Sequence, residues 1–397
     1  MRILHTADWH IGCRTDGFLR LDEQIKVCEE IVEIANKQKV DMVIVAGDIY
    51  DSFLPSADAE KLVFDTLLKL SDNGNRAVMV VAGNHDDPKR LSNANVFASL
   101  HNIYLVGEMA KINFASLKGK NITPVSSGVG HIEFKTKSGE KVVVATMPYP
   151  SYYRYKQIKK EGEQLNDSIK EWFKPALSGF RKDTINIAIS HLLTYPVNCS
   201  LEEFSNYEVV GGAISFVNRE NLISQADYTA LGHIHQQISI DKINHIYYSG
   251  ATVNKFFDDI SVHNYVIVAD INGKGKAKVE RVELTNTKQL ISQRVGSVTE
   301  AINFLNANRT KLVRLIFENM DFVNPQDIKK IRTEFKNVIT ISVEPTKIKE
   351  QVVITKKDLT TKEIFEKFVE NKTGEKPEEE LSNLFLELMG EVLYEAE

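Results

Sequence analysis

Seven side chains in short turns, Asp8 and His10, Asp48, Asn84, His191, and His233 and His235, are the oxygen and imidazole donors that a pair of divalent cations needs. Hydrolysis of a phosphate ester by two metals requires cations roughly 3.5–4 Å apart, a carboxylate bridging them and an activated water aimed at phosphorus. Asp48 is the candidate bridge, because it offers two oxygens and ends the apolar run Val43-Ile44-Val45-Ala46. His85 follows Asn84 in Gly83-Asn84-His85-Asp86 without being needed as a ligand. Its imidazole is therefore available as a general acid to the leaving oxygen, with Asp86 placed to orient it. Asp51 is expected to support the site from behind the ligands or to cap a turn. Mixed oxygen and imidazole donors suit manganese, iron or zinc, and the absence of cysteine donors weighs against a closed structural zinc site.

A lone histidine is ordinarily a hydrogen-bonded core or surface residue, and that reading is kept for His5, His101, His131, His245 and His263. The other five act jointly. Each chemical turn follows an apolar run that reads as a buried strand: Arg2-Ile3-Leu4, Val43 to Ala46, Val78 to Val81, Ile185 to Ile189, and Tyr228 to Leu231. In an open α/β sheet, ligands gather at the carboxyl ends of strands.

The elements between these turns must fold the ends together. Helical spacing predicts a helix capped by Asp22 and running to about Gln38, with Ile25, Cys28, Ile31, Val32 and Ala35 on one face. Further helices are expected from Ala57 to Leu70 and from Leu91 to Leu100, then shorter β segments ending in Val142 to Thr146. Ser151-Tyr152-Tyr153-Arg154-Tyr155-Lys156 is an aromatic and basic loop, ordinarily solvated surface and only a moderate pointer to nucleic acid. A charged helix from Ile158 to Leu177 follows it, and strands at Ile246 to Ser249, Tyr265 to Ile271 and Val279 to Leu284 complete the large domain. Asn272-Gly273-Lys274-Gly275 reads as the hairpin turn between the last two. From about Thr285 the pattern restarts: helix Val298 to Leu305, strand Leu312 to Phe317, helix Pro325 to Phe335, strand Val338 to Val343. Past Leu359, two amphipathic helices are broken at Thr373-Gly374. The class is α/β, with domains at 1–284, 285–350 and 351–397.

Composition narrows the rest. The 397 residues are 43% hydrophobic, which requires a packed core, and a net charge of -5 leaves no global basic footprint. Three cysteines, widely spaced and without a Cys-x-x-Cys, suit free thiols in a reducing cytoplasm. No apolar run approaches the roughly 20 residues that span a bilayer, so a soluble cytoplasmic protein without a membrane role is expected.

Asp8-x-His10, Gly47-Asp48-x-x-Asp51, Gly83-Asn84-His85-Asp86, His191 and Gly232-His233-x-His235 together resemble the calcineurin-like metallophosphoesterase signature. More narrowly, His5-Thr6-Ala7-Asp8-Trp9-His10-Ile11-Gly12 with Ala230-Leu231-Gly232-His233-Ile234-His235 is similar to the SbcD family of nuclease subunits. The resemblance implies a layered β-sandwich flanked by helices, a small α/β capping domain and a C-terminal tail that docks on an ATPase. It implies one manganese held by Asp8, His10, Asp48 and His235 and a second held by Asp48, Asn84, His191 and His233, with magnesium, iron or zinc as alternatives. His85 would be the catalytic acid. The family's action would follow: ATP-controlled 3′-to-5′ exonuclease on duplex DNA ends and endonuclease on single strands and hairpins, for repair and recombination. Its partners would be an SbcC-like SMC-type ATPase, DNA and a second copy of the chain, in a homodimer within a heterotetramer. One departure stands out: Tyr248-Ser249-Gly250-Ala251-Thr252 replaces a common Gly-Ser-Pro, which puts backbone contacts in that loop in doubt.

Two rival classes share part of this pattern. A phosphodiesterase of small substrates such as cyclic nucleotides would keep every ligand but would need neither a cap nor a striped tail. A non-catalytic scaffold predicts eroded ligands, and none is lost here. The apolar positions Val63, Leu67, Phe97 and Leu100 exceed what a helix on one sheet needs, and ordinary packing on the sheet competes with a dimer contact as the explanation. The stripe Leu381, Leu384, Phe385, Leu388, Met389, Val392 and Leu393 needs a groove to cover it, expected at the coiled-coil base of the ATPase.

Overall fold

A computed structural model describes residues 1–117, 119–150, 165–194, 196, 217, 226–257, 263–272, 277–318, 320, 322–344, 365–370, 376–379, 381–382 and 385. In chain order the elements begin with β1 (Arg2–Thr6), β2 (Arg14–Thr15), β3 (Phe18–Leu19), α1 (Leu21–Lys37), β4 (Met42–Ala46), α2 (Ala57–Leu70), β5 (Ala77–Val81) and α3 (Pro88–Ala98). They continue with β6 (Ile103–Val106), β7 (Ile122–Gly128), β8 (His131–Thr136), β9 (Lys141–Met147), α4 (Leu165–Leu177), β10 (Ile185–His191), β11 (Tyr228–Gly232), β12 (Ile238–Asp241), β13 (Ile246–Tyr248), β14 (Asn264–Ile271) and β15 (Ala277–Leu284). A further group is β16 (Leu290–Val295), α5 (Val298–Ala307), β17 (Leu312–Glu318), α6 (Pro325–Glu334) and β18 (Val338–Glu344).

The unbroken apolar runs become strands covered on both faces, as continuous Val- and Ile-rich runs require. One sheet has the order β15-β14-β1-β4-β5-β6 and a second has β12-β13-β11-β10-β9-β8-β7. Side chains alternate along each strand, so one strand feeds two cores. From β4, Met42, Ile44 and Ala46 enter the core between the sheets, where they join Phe134, Val144, Ile187 and Tyr228 from the second sheet. Val43 and Val45 face the other way and pack on Val27 and Ile31 of α1 and Val63 and Leu67 of α2. On the far side of the second sheet, Val143, Ala145 and Ala188 meet Ile169, Phe173 and Ala176 of α4. The result is the expected layered sandwich with helices outside it. Strands β16, β17 and β18 pair in parallel in a third sheet, whose own core holds Leu305, Val313, Leu315, Phe317 and Ile331. Residues 1–344 form one compact unit and 345–397 another, and in the latter Phe365 and Phe385 stack with centroids 4.0 Å apart.

Several boundaries differ from the sequence reading for local reasons. Asp22 lies in the first turn of α1 rather than at its cap, because Arg20 holds the cap position and its guanidinium is forked onto Glu23. Helix α3 starts earlier than Leu91, since the Asp87 carboxylate accepts from the N–H groups of Lys89 and Arg90 and Pro88 supplies the first turn. Strand β16 was hidden in a mixed polar stretch without period-two alternation. Ser151–Lys156, Cys199, Gly273–Gly275 and Thr373-Gly374 lie outside the described residues. Val63 and Leu67 are core residues at 1% and 2% exposure, so of the positions expected to be in surplus only Phe97 and Leu100 remain on the surface. Cys13 and Cys28 are buried, which pushes both thiols up to about 12 and makes them inert. No described helix is long and apolar enough to cross a membrane.

His5, on β1, bridges the two sheets: Nε2–H donates to the Leu231 carbonyl, leaving Nδ1 to accept from the Tyr228 hydroxyl, both at 3.1 Å. Burial lowers its pKa to about 3, so between that value and about 6.5 the unfolded chain binds a proton that the folded chain refuses. Stability is therefore lost as pH falls through this window, by up to about 5 kcal/mol from this side chain. Urea unfolding at pH 7, 6, 5 and 4 should show a shallower decline for His5→Asn than for the parent, whatever the offset at pH 7; parallel curves would refute the assignment.

Candidate metal centre

Five strand ends converge. Asp8 and His10 follow β1, Asp48 follows β4 and Asn84 follows β5, all at carboxyl ends of adjacent parallel strands. His191 ends β10 and His233 follows β11, its parallel neighbour in the other sheet. Because β4 lies between β1 and β5, Asp48 is central to the cluster. Its Oδ2 is 3.6 Å from His10 Nε2 and 3.4 Å from His191 Nε2, while Oδ1 accepts the His85 N–H at 2.8 Å.

The seven donors predicted from sequence are brought together. His10 Nε2 and His235 Nε2 stand 3.1 Å apart, and the Asn84 carbonyl oxygen is 3.0 Å from His191 Nε2 and 2.9 Å from His233 Nδ1. Asp8 accepts the His233 N–H with both oxygens. Among the described residues, three overlapping groups have donor atoms close enough to share an ion: Asp8, His10 and His235; Asp8, Asp48 and His191; and His10, Asp51 and His85. The third group places Asp51 nearer the ligands than the sequence suggested.

These donors fit divalent cations on their chemistry. His191 Nδ1 is 2.8 Å from the Ala46 carbonyl and must donate there, so its Nε2 presents a lone pair to the Asn84 oxygen unless a second proton is held. His235 Nδ1 is buried without a hydrogen-bond partner among the described residues. Acceptor atoms facing one another in this way need a proton or a cation between them, and a divalent cation can serve several of them at once. Proton affinities show the same tension. Burial pushes the carboxyl of Asp8 well up, with Asp48 adding to it. For Asp48 burial acts in the same direction, but the facing His191 overrides it and holds the carboxyl low. His191 is lifted to about 9 against its own burial by Asp48, while burial takes His233 down to about 3 and His235 and His10 below their ordinary range.

The backbone is shaped to this purpose. Asp8, His10, Asp48 and His233 all have positive φ, at 50°, 43°, 48° and 108°, a region that side-chain-bearing residues rarely occupy. Asp86 holds the turns together: its two oxygens accept the N–H groups of Ile49, Tyr50 and Gly83. Burial, with Asp48 nearby, raises its carboxyl to about 6. The His85 ring is oriented by the main-chain carbonyl of Asp51, 2.9 Å from Nδ1, instead of by Asp86 as the sequence suggested. The doubtful loop after β13 keeps its backbone contacts, with Ala251 N–H on the His235 carbonyl at 2.8 Å and Thr252 N–H on the Asp8 carbonyl at 3.4 Å.

Three residues escaped the sequence reading. Gln24 on α1 is buried, donates to the Trp9 and His10 carbonyls and accepts from Gly12 N–H, which fixes the first turn. Tyr149 lies beside the imidazoles of His191 and His233, with ring centroids 5.9 and 5.8 Å away. Lys255 pairs with Asp51. Tyr149 had a signal, since it follows the strand ending at Met147 as the candidate donors follow theirs; Gln24 and Lys255 had none.

Gly83 backs closely onto Asp48. A methyl group there would lie 2.1 Å from Asp48 Oδ1 and 2.3 Å from Asp48 N, neither of which can retreat. Gly83→Ala is expected to lower two-metal binding, measured by calorimetric titration, at least tenfold while far-UV circular dichroism stays parental. Unchanged binding would show that the turn yields.

Comparison with known proteins agrees with this geometry. A calcineurin-like phosphoesterase family model matches residues 1–237. The SbcD subunit of the SbcCD nuclease of Bacillus subtilis (strain 168) is 30% identical over 403 residues, covering 98% of this chain and 97% of that protein. The corresponding SbcCD nuclease subunit of Staphylococcus saprophyticus is 26% identical over 259 residues, covering 65% of this chain and 62% of its own length.

Proposed function

The chain belongs to the calcineurin-like phosphoesterase family, and from that membership we propose that it is the nuclease subunit of an SbcCD-type complex. It is a metal-dependent phosphodiesterase. Our reading assigns it manganese as the working ion, 3′-to-5′ exonuclease action on duplex ends, endonuclease action on single strands and hairpins, and control by ATP hydrolysis in an SbcC-like partner. The observation that carries the reading is the convergence of the donors on Asp48, in a chain similar to an SbcCD nuclease subunit along nearly its whole length.

When bound, the divalent ions supply an activated water and neutralise charge on the phosphoryl oxygens. We assign Asp8, His10 and His235 to one ion, Asn84, His191 and His233 to the other, and Asp48 to both. The side chains then divide the remaining work. The Asp51 carbonyl takes the Nδ1–H of His85, so the proton for the leaving sugar oxygen is carried on Nε2. Asp86 keeps the strand-end turns in register, and the Asp48 carboxylate accepts the His85 N–H, which ties the acid to the ligand set.

We further read residues 1–284 as the catalytic domain, 285–350 as the cap and 351–397 as the segment that binds the ATPase. The homodimer contact is assigned to α2 and α3. Phe64, Leu68, Val96 and Phe97 are exposed there and Leu100 in the turn after α3, and an apolar cleft of about 290 Å³ lies among Phe64, Leu68, Phe97 and Ile103. An apolar patch with a cleft in it favours a self-complementary contact.

Manganese-dependent digestion of an end-labelled duplex, with and without the ATPase partner and ATP, tests the function. In that assay His85→Ala should keep two metal ions yet lose roughly 10²–10⁴-fold in rate. The loss should be much smaller on bis-p-nitrophenyl phosphate, whose leaving group needs little protonation. Loss of metal on substitution, or full activity on duplex ends, would end this assignment. For the dimer, Leu68→Glu with Phe97→Glu should halve the mass in solution and leave the melting temperature within a few degrees. A parental mass would refute the contact.

A further inference from the structure

The segment from Gly250 to Phe257 runs from the metal centre to the three-stranded sheet and is held at nearly every step. At its start, the Ala251 and Thr252 N–H groups sit on the carbonyls of His235 and Asp8. In its middle, the fully buried Arg20 guanidinium donates to the Asn254 carbonyl at 2.8 Å, and the Thr15 hydroxyl donates to the Lys255 carbonyl at 2.9 Å. Asn264 binds the Ala251 carbonyl and the Asn254 side chain at 3.0 and 2.8 Å. The backbone that carries Lys255 is therefore fixed.

The Lys255 side chain, 13% exposed, reaches back to Asp51 Oδ1, and that same oxygen is 3.5 Å from His10 Nδ1. His10 Nδ1 has no hydrogen bond of its own among the described residues, so Asp51 is the group that can fix the plane of this ring. Without its ammonium partner, a carboxylate 25% exposed is free to turn toward water.

At the far end, Arg314 of β17 lies with its guanidinium carbon 4.2 Å from the Phe257 ring centroid. The same guanidinium pairs with Asp16 at 3.1 Å, and Thr340 of β18 donates to Asp16 at 2.8 Å. Asp16 sits in the hairpin between β2 and β3, whose Thr15 anchors Lys255. Arg314 therefore touches both walls that seat the lysine.

We propose that Lys255 is a positioning residue for the metal centre, fixing His10 through Asp51, and that Arg314 of the three-stranded sheet seats Lys255 by gripping Phe257 and Asp16. This rests on the assignment of His10 as a ligand. Residues one step behind a ligand typically cost 10- to 100-fold in metal affinity or activity when removed. Arg314 acts one step further out, so its effect is smaller.

The test uses the full-length chain and manganese alone, titrated calorimetrically, with thermal melting of the metal-free proteins as a control for folding. Lys255→Met should weaken one of two ions about 10-fold or more, with the metal-free melt unchanged. Lys255→Arg should restore most of that affinity. Arg314→Ala should weaken the same ion about 3-fold, and the double variant should be no weaker than Lys255→Met alone, because groups in one chain of contacts do not add. Raised manganese should recover nuclease activity in both single variants. Parental affinity for both ions in Lys255→Met overturns the role of the lysine, and strictly additive losses overturn the link to Arg314. A parent that binds no pair of manganese ions would instead refute the metal assignment itself.

Discussion

The structure depends on keeping one ionised carboxylate, Asp48, buried at the end of a central strand. An isolated carboxylate taken out of water costs several kcal/mol at least, and that cost is met only by charges and hydrogen bonds aimed at it. Here the His85 N–H, His10 and His191 meet it from three directions. Those partners come from β1, β5 and β10, so satisfying one side chain requires two sheets to be stacked with their strand ends aligned. The closeness is visible in the glycines: Gly47, at φ 90°, lies where any Cβ would be 2.3 Å from the His191 ring, and Gly83 backs directly onto Asp48. Side chains at either place would push the donors apart.

Alignment of that kind strains the chain. Four of the seven donors lie in the left-handed region, where each side-chain-bearing residue costs on the order of 1 kcal/mol or more. Such conformations persist only when the surroundings over-determine them. The Asp8 and His10 N–H groups are held by the Gly47 and Asp48 carbonyls, the carbonyls of Trp9 and His10 by Gln24, and the turn after Asp48 by Asp86. Those holding residues are buried polar groups on rigid elements, and the interlocked cores on both faces of each sheet supply the stability that the strain consumes.

The sequence singled out the donor side chains that the fold brings together because they are a set of rare residue types repeated in one context, each directly after an apolar run. The layered class followed from those runs, and Ala57–Leu70 was legible to the residue. What stayed hidden was relational. Nothing in the spacing of Val63 and Phe97 says that one faces Val43 and the other solvent, since both sit on apolar stripes of amphipathic helices. Asp86 read as a partner for its neighbour His85, yet its oxygens are taken by N–H groups 36 and 37 residues away. Lys255 lies more than 200 residues from the aspartate it meets, and a lysine in a loop carries no pattern to announce it.

Helix α1 explains why the three-stranded sheet is tied to the site along more than one path. Glu23 and Glu30 are two turns apart on one face and buried, and both accept main-chain N–H groups from the segment entering β16: Glu30 from Thr285 and Asn286, Glu23 from Lys288. Glu23 also binds Arg20, which donates to Asn254, and Gln24 of the same helix secures the His10 turn. The first turn of α1 thus touches the metal turn, the segment before Lys255 and the entry to the next sheet within five residues of sequence. Carboxylates near a helix N-terminus are favoured by its dipole, which lowers the cost of burying Glu23 there. Because Glu23 bonds to both Arg20 and Lys288, displacing the third sheet would disturb the same ion pair that steadies the metal-side loop, so the two regions share one set of hydrogen bonds.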